Sequence, residues 1–164
     1  MRVDASVSDI IYLRLLVTRV GYDRDFKELN MNTTYIDKLA LIDIKDNSVL
    51  STLSRGKDVW YIPGGKREGN ETDQEALIRE VKEELLVDII PETIRHYGTF
   101  EAQAHGKPDG TMVRMTCYTA QFTGTLTASS EVSEYRYVGY VWKEKSSPVD
   151  QLIFDDLLAK GHIR

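Results

Sequence analysis

Apolar and polar positions alternate from Tyr35 onward in the manner of strands. TYIDKLALIDI (34–44) reads as a first strand, Lys45-Asp46-Asn47-Ser48 as a turn and VLSTLSR (49–55) as a second strand. Gly56-Lys57-Asp58 is a turn signal, and Val59-Trp60-Tyr61-Ile62 a short strand stopped by Pro63. The period then changes. From about Thr72 to Leu86 the apolar residues recur at helical spacing, with Leu77, Ile78, Val81 and Leu85 on one stripe. Thr72 is a good N-cap, and Glu75 three residues later completes a capping box. Ile94 to Ala104 and Thr111 to Thr123 read as two strands joined through the turn Lys107-Pro108-Asp109-Gly110, in which Pro presets φ and Gly takes positive φ. Tyr135 to Val141 is a further strand. Ser147-Pro148 opens a final helix, closed by Gly161. Strands outnumber helices, which predicts an α+β domain with a mixed sheet and flanking helices.

The second face of the 72–86 helix carries charge rather than apolar residues. On a helical wheel with Glu80 at zero, Glu84 falls near ~40° and Glu83 near ~300°, so the three carboxylates share one side. Like charges at this spacing repel by roughly 0.2–0.5 kcal/mol per pair. A hard, oxygen-preferring cation such as Mg²⁺ removes that cost, and a diphosphate is the natural substrate for a metal held there. Ala76 lies in the same sector one turn back and leaves space for a ligand. A surface ladder of Glu75, Arg79 and Glu83 is the plain alternative. It leaves Glu80 and Glu84 unexplained, because neither has a basic helical partner four residues away.

Composition narrows the setting. The 164 residues favour one domain with a real core. A net charge of −5 argues against DNA binding through a broad basic face. It leaves nucleotides open, because a bound cation supplies positive charge. Cys117, the only cysteine, cannot form an intrachain disulfide and reads as a small core residue in MTCYTA. The longest apolar candidate, IIYLRLLV (10–17), is short and broken by Arg14, so no membrane span is expected. A reducing, cytoplasmic location is the default. Residues 1–30 read unlike the rest. Either Met31 is the native start and they are an upstream extension, or they form a short element packed on a domain over 31–164.

Gly65, then five residues, Glu71, then seven residues, and Arg79-Glu80-Val81-Lys82-Glu83-Glu84 resembles the Nudix box, G-x5-E-x7-R-E-U-x-E-E-x-G-U with U aliphatic. Every charged position matches, as do the aliphatic positions Val81 and Val87. Leu86 stands where that family has Gly. A left-handed exit there costs Leu about 1 kcal/mol, so a different exit geometry is expected, with activity retained.

The resemblance to the MutT-like Nudix hydrolases implies an α/β/α sandwich and Mg²⁺-dependent hydrolysis of a nucleoside diphosphate linked to a group X, with Mn²⁺ as a substitute ion. It implies that Glu80, Glu83 and Glu84 bind metal, with the Gly64 carbonyl as a further ligand. Arg79 would orient a metal-binding carboxylate, and Glu71 would fix Arg79. Gly64 and Gly65 let the backbone approach phosphates, and Lys66 could neutralise one. The general base stays open between Glu83 and Glu84 of the box and Glu131 and Glu134 of SSEVSEYRY, where Glu134 could instead pair with Arg136. Trp60, Tyr61, Phe100 and Tyr118 are candidates for base stacking, or else core. His105 and Lys107 are candidates for a phosphate contact, and His96 and His162 carry no signal. Nucleoside triphosphates and nucleotide sugars both fit as substrates. A binding module without catalysis and removal of pyrophosphate from RNA 5′ ends are the competing readings. The family is compatible with a homodimer, for which no interface patch can be named.

Overall fold

The computed structural model describes residues 33–164. The readings for residues 1–30, including a native start at Met31, lie outside the described residues. The first strand, β1 (Thr34–Leu41), explains the layering. Successive strand side chains point to opposite faces. Leu39 and Leu41 pack with Ala76, Leu77, Val81 and Leu85 of one helix, α1 (Asp73–Leu85). Ala40 and Ile42 pack with Val149, Ile153, Phe154 and Leu157 of the other, α2 (Pro148–Ala159). Strand and helices thus form the expected sandwich, with β1 buried on both faces at its C-terminal end.

The remaining strands are β2 (Ile44–Lys45), β3 (Ser48–Ser54), β4 (Asp88–Ile89), β5 (Arg95–Gln103), β6 (Thr111–Thr119), β7 (Phe122–Thr123) and β8 (Val132–Val138). They pair in the orders β1-β6-β5, β2-β3-β8 and β4-β7. The β2–β3 hairpin turns on Asp46 and Asn47, at φ 50° and 59°, as a two-residue turn with both central residues left-handed requires. The β3–β8 and β5–β6 ladders are antiparallel, and a parallel bridge joins Trp60 to Ser146. No helix among the described residues is long and apolar enough to cross a membrane.

Several boundaries differ from the sequence pattern. The run 111–123 is two strands, because Gln121 turns aside to accept from the Ile90 N–H and Phe122–Thr123 pairs with β4. Residues 59–62 make only isolated bridges, Tyr61 to Thr52 and Trp60 to Ser146. The last strand starts at Val132, which is buried opposite Ser54, and residues 140–145 form a 3-10 turn instead of continuing it.

Helix α1 begins as the sequence predicts. The Thr72 hydroxyl accepts from the Glu75 N–H and the Glu75 carboxylate accepts from the Thr72 N–H. Its exit does not. Leu86 does take the left-handed conformation, at φ 56° and ψ 24°, with its N–H on the Lys82 carbonyl. Tertiary contacts impose this shape: Val87 is fully buried, Thr127 donates to the Leu85 carbonyl, and Asp88–Ile89 must reach β7. Gly suits this conformation, though it also widens the unfolded ensemble. Leu86→Gly is therefore expected to stabilise the fold by up to about 1 kcal/mol. Thermal melting checks this, and a lowered midpoint would contradict it.

Helix α2 starts with Pro148 in its first turn, after Ser147 as predicted. The Ser147 hydroxyl does not cap the helix; it donates to the Asp150 carboxylate at 2.7 Å. Asp150 is fully buried and its Oδ1 has no hydrogen-bond partner. Burial raises its carboxyl from the ordinary 3.8 to about 7, against hydrogen bonds from Ser147 and the Ile62 backbone and the charge of Lys38. The folded state therefore holds a proton that the unfolded chain releases. That contribution to stability is full below pH 3.8 and fades as pH rises through about 7. Melting midpoints should fall as pH rises from about 4 to 8, and Asp150→Asn should remove a distinct part of that fall, buried Glu84 contributing another part. Parallel pH curves for the two proteins would refute the assignment.

Candidate active site

Beside β1 runs the segment 63–65. The Leu39 N–H donates to the Gly65 carbonyl at 2.8 Å and the Leu41 N–H to the Pro63 carbonyl at 2.9 Å. Both glycines sit where a Cβ would meet other atoms, against backbone at Gly64 and against a flexible side chain at Gly65. A Cβ on Gly64, whose φ is +140°, would lie 2.2 Å from the Leu39 carbonyl oxygen. A Cβ on Gly65 would lie 2.2 Å from the Glu80 carboxylate carbon. The glycines therefore let one strip of backbone touch a strand on one side and a helical carboxylate on the other.

Arg79 organises the carboxylates. Its Nε donates to Glu71 Oε1 at 2.7 Å and its Nη2 to Glu71 Oε2 at 2.9 Å, a paired contact that suits the planar guanidinium. Nη2 also donates to the Lys66 carbonyl. Nη1 lies 3.1 Å from Glu80 and 3.6 Å from Glu83. The Arg79 hydrogen bonds hold Glu71 at about 2, and Arg79 itself is pushed well above its ordinary value by Glu71. Only half of the Glu75-Arg79-Glu83 ladder forms: Arg79 reaches Glu83, while Glu75 is engaged in the capping box. Glu80, which has no basic partner four residues away, is met by the adjacent Arg79.

Glu84 differs from its neighbours. It is 6% exposed and forms no ion pair among the described residues; its Oε2 accepts from the Gly64 N–H at 2.9 Å. Burial raises it to about 8, the Gly64 N–H opposes the shift, and the charges of Glu131 and Glu80 add to it. Burial also raises Glu80, against its contact with Arg79. A buried carboxylate crowded by two others, with no ion-pair partner among the described residues and only the charge of Lys38 and the Gly64 N–H opposing its burial, is a donor set that fits a hard divalent ion. Among the described residues, no three such groups are gathered closely enough as they stand to cage one.

A cavity of about 340 Å³ opens beside Glu84. Gly64, Glu84 and Glu131 line it, together with the cationic residues Lys38, Arg55, Lys57, Lys66 and Lys107. Ile36, Ile62, Val113 and Met115 supply apolar wall. Of the sequence candidates, Gly64, Lys66, Glu84, His105, Lys107, Glu131 and Tyr61 meet at this cavity. Glu80 and Glu83 stand outside its lining, on Arg79. Glu134 sits on β8 opposite Leu53, with its carboxylate accepting from Arg136.

The other aromatic candidates serve packing or hydrogen bonding. Trp60 is buried edge-on to Trp142, Phe100 packs against the core, and the Tyr118 hydroxyl donates to Asp73 at 2.6 Å. His105 lies 3.3 Å from Asp58. Cys117 is fully buried, as expected for a core residue. Lys38, Arg55 and Lys57 went unnoticed in the sequence. They lie on β1 and just after β3, and no local motif marks them; strand pairing alone brings them to Lys66 and Lys107.

Comparison with known proteins agrees with this geometry. The model of the NUDIX domain family matches residues 39–145. A curated 8-oxo-dGTP diphosphatase from Proteus vulgaris is 42% identical over 50 residues, which is 30% of this chain and 40% of that protein's length. The chain's match thus spans about two fifths of that relative. The solution structure of the E. coli ORF135 protein superposes with TM-score 0.61 at 22% identity, covering 77% of this chain and 91% of that one. The MutT protein from Methanosarcina mazei Go1 superposes with TM-score 0.64 at 17% identity, covering 80% of this chain and 99% of that one. At these identities the structural likeness bears on the fold, while the family match spans most of the chain and contains the whole glycine–carboxylate site. The chain belongs to the NUDIX family.

Proposed function

We propose that this chain hydrolyses the diphosphate linkage of a nucleoside triphosphate in a Mg²⁺-dependent reaction. The carrying observation is the cavity itself, which sets the buried, ion-pair-free Glu84 beside Glu131 and rings both with lysine and arginine. Glu80, Glu83, Glu84 and the Gly64 carbonyl would hold the ion, with Mn²⁺ able to replace it. When bound, such an ion offsets phosphate charge and lowers the pKa of bound water.

The chain's own residues do the rest. Lys38, Lys57, Lys66 and Lys107 bind phosphate oxygens, and a linear polyphosphate answers that much positive charge better than a neutral sugar does. Arg79, fixed by Glu71, holds Glu80 and Glu83 in place. Glu131 accepts the proton of the attacking water; Glu134, bound to Arg136, is the weaker candidate. Little more is needed, because phosphoryl transfer depends on positioning and charge stabilisation. Within this class, the name of the Proteus vulgaris relative favours oxidised purine nucleotides.

The test is hydrolysis across ordinary and oxidised nucleoside triphosphates, ADP-ribose, UDP- and GDP-sugars and dinucleoside polyphosphates, with Mg²⁺ and with chelator. The expected result is turnover of triphosphates that chelation abolishes. Turnover confined to sugars would overturn the substrate class. Nucleotide binding without turnover would replace the enzyme with a binding module.

A further inference from the structure

Glu131 reaches the cavity from a turn that the rest of the chain holds in an unfavourable shape. The Val132 N–H donates to the Ser129 carbonyl at 3.0 Å and closes the turn over residues 129–132. Inside it, Ser130 sits at φ 52°, in the left-handed region that L side chains avoid. Such a conformation persists only where neighbouring contacts enforce it.

Those contacts come from two sides. On the α1 side, the Ser129 N–H donates to the Glu84 carbonyl at 2.9 Å. On the β3 side, the Arg55 N–H donates to the Glu131 carbonyl at 2.8 Å, and the Ser133 hydroxyl to the Leu53 carbonyl at 2.8 Å. One side chain crosses directly to the strained residue. Arg55 Nη1 donates to the Ser130 carbonyl at 2.7 Å. Arg55 follows immediately after β3, where the β3–β8 register shifts between Leu53 and Ser54, and this irregularity turns the chain toward the loop.

We infer that Arg55 is a positioning residue for Glu131: its guanidinium, bonded to the Ser130 carbonyl, holds the turn so that the Glu131 carboxylate stays in the cavity beside Glu84. The inference rests on the reading of Glu131 as proton acceptor. It separates Arg55 from the lysines around the same cavity, whose side chains reach phosphate as point charges. The guanidinium has five donors, so one can hold the turn while others still face the cavity.

The experiment has two arms. Hydrogen exchange reads the turn without any substrate. In Arg55→Met the Val132 amide is expected to exchange about tenfold faster, with the Tyr135 amide deeper in β8 unchanged. An unchanged Val132 rate overturns the inference. Kinetics read the consequence on the best substrate of the panel. Arg55→Met is expected to lower kcat by about 10- to 100-fold with KM within about threefold, and to add nothing in a Glu131→Gln background. Arg55→Lys, which keeps charge but loses the planar fork, should recover little. A raised KM with kcat retained, or an effect that persists with Glu131→Gln, makes Arg55 a phosphate contact and overturns positioning. A Glu131→Gln enzyme with undiminished kcat also overturns it, while leaving the hydrolase reading intact. Should no substrate turn over in the unmodified protein, the hydrolase reading falls, and the exchange arm alone decides whether Arg55 holds the turn.

Discussion

Glu84→Gln is expected to lower turnover by about 10³-fold or more, on the order of 4 kcal/mol in the barrier, while the fold stays intact. The two halves of that expectation have the same origin. Glu84 is buried without a cationic partner, and burial holds its carboxyl near about 8. In the absence of a divalent ion the neutral acid is therefore the comfortable form at neutral pH, and Gln is close to it in shape. The Gln amide oxygen can still accept from the Gly64 N–H. What Gln cannot do is bring negative charge to a cation. Melting in the presence and absence of Mg²⁺ separates the two halves. The ion should raise the midpoint of the unmodified protein by mass action and leave that of Glu84→Gln nearly unmoved. Turnover within about tenfold of the unmodified enzyme would remove Glu84 from the centre of the chemistry.

The second large effect falls on stability. Gly64→Ala is expected to cost on the order of 3 kcal/mol or more, combining overpacking with a backbone conformation that L residues avoid. The new Cβ would meet the Leu39 carbonyl oxygen at 2.2 Å and the Ala40 Cα at 2.9 Å. Both are backbone atoms of β1, which is gripped by a helix on each face and cannot retreat. Gly65→Ala supplies the contrast. Its Cβ meets only the far end of the Glu80 side chain, which can swing aside. The expected cost there is under about 1 kcal/mol, with Glu80 displaced from Arg79. Thermal or urea unfolding of the pair checks both, and equal costs would mean that the strand yields more than its packing suggests.

The geometry around the glycines and the first helix was legible in the sequence because it is local. The capping box at Thr72 and Glu75, the Glu71–Arg79 pairing and the placing of Glu84 all follow from spacing along one helix and the turn before it. The layers were legible too, because the order of strands and helices already implied a mixed sheet with flanking helices. What the sequence hides is long-range. Leu86 is forced into a left-handed exit by Val87 and β4, against its own preference. Phe122 and Thr123 look like the continuation of β6 until β4 competes for them. Asp150 resembles an ordinary first-turn acid, yet it is sealed in the core. Lys38 and Lys57 are unremarkable until β1 and the turn after β3 meet at one cavity. Even the choice between Glu131 and Glu134, three residues apart, depends on a register shift beyond local reading.

The division of labour within the cavity has a consequence for how such a protein can change. The acids proposed to bind metal sit on a single rigid helix braced against a doubly covered strand. The lysines proposed to face phosphate come from separate places, Lys38 on β1, Lys57 after β3, Lys66 before α1 and Lys107 in the β5–β6 loop. On the proposed reading, reaction and preference are carried by different parts of the chain. On that reading, exchanging residues 104–110 would change the cavity wall and leave the α1 acids in place, so a new specificity would lie a loop away rather than a fold away.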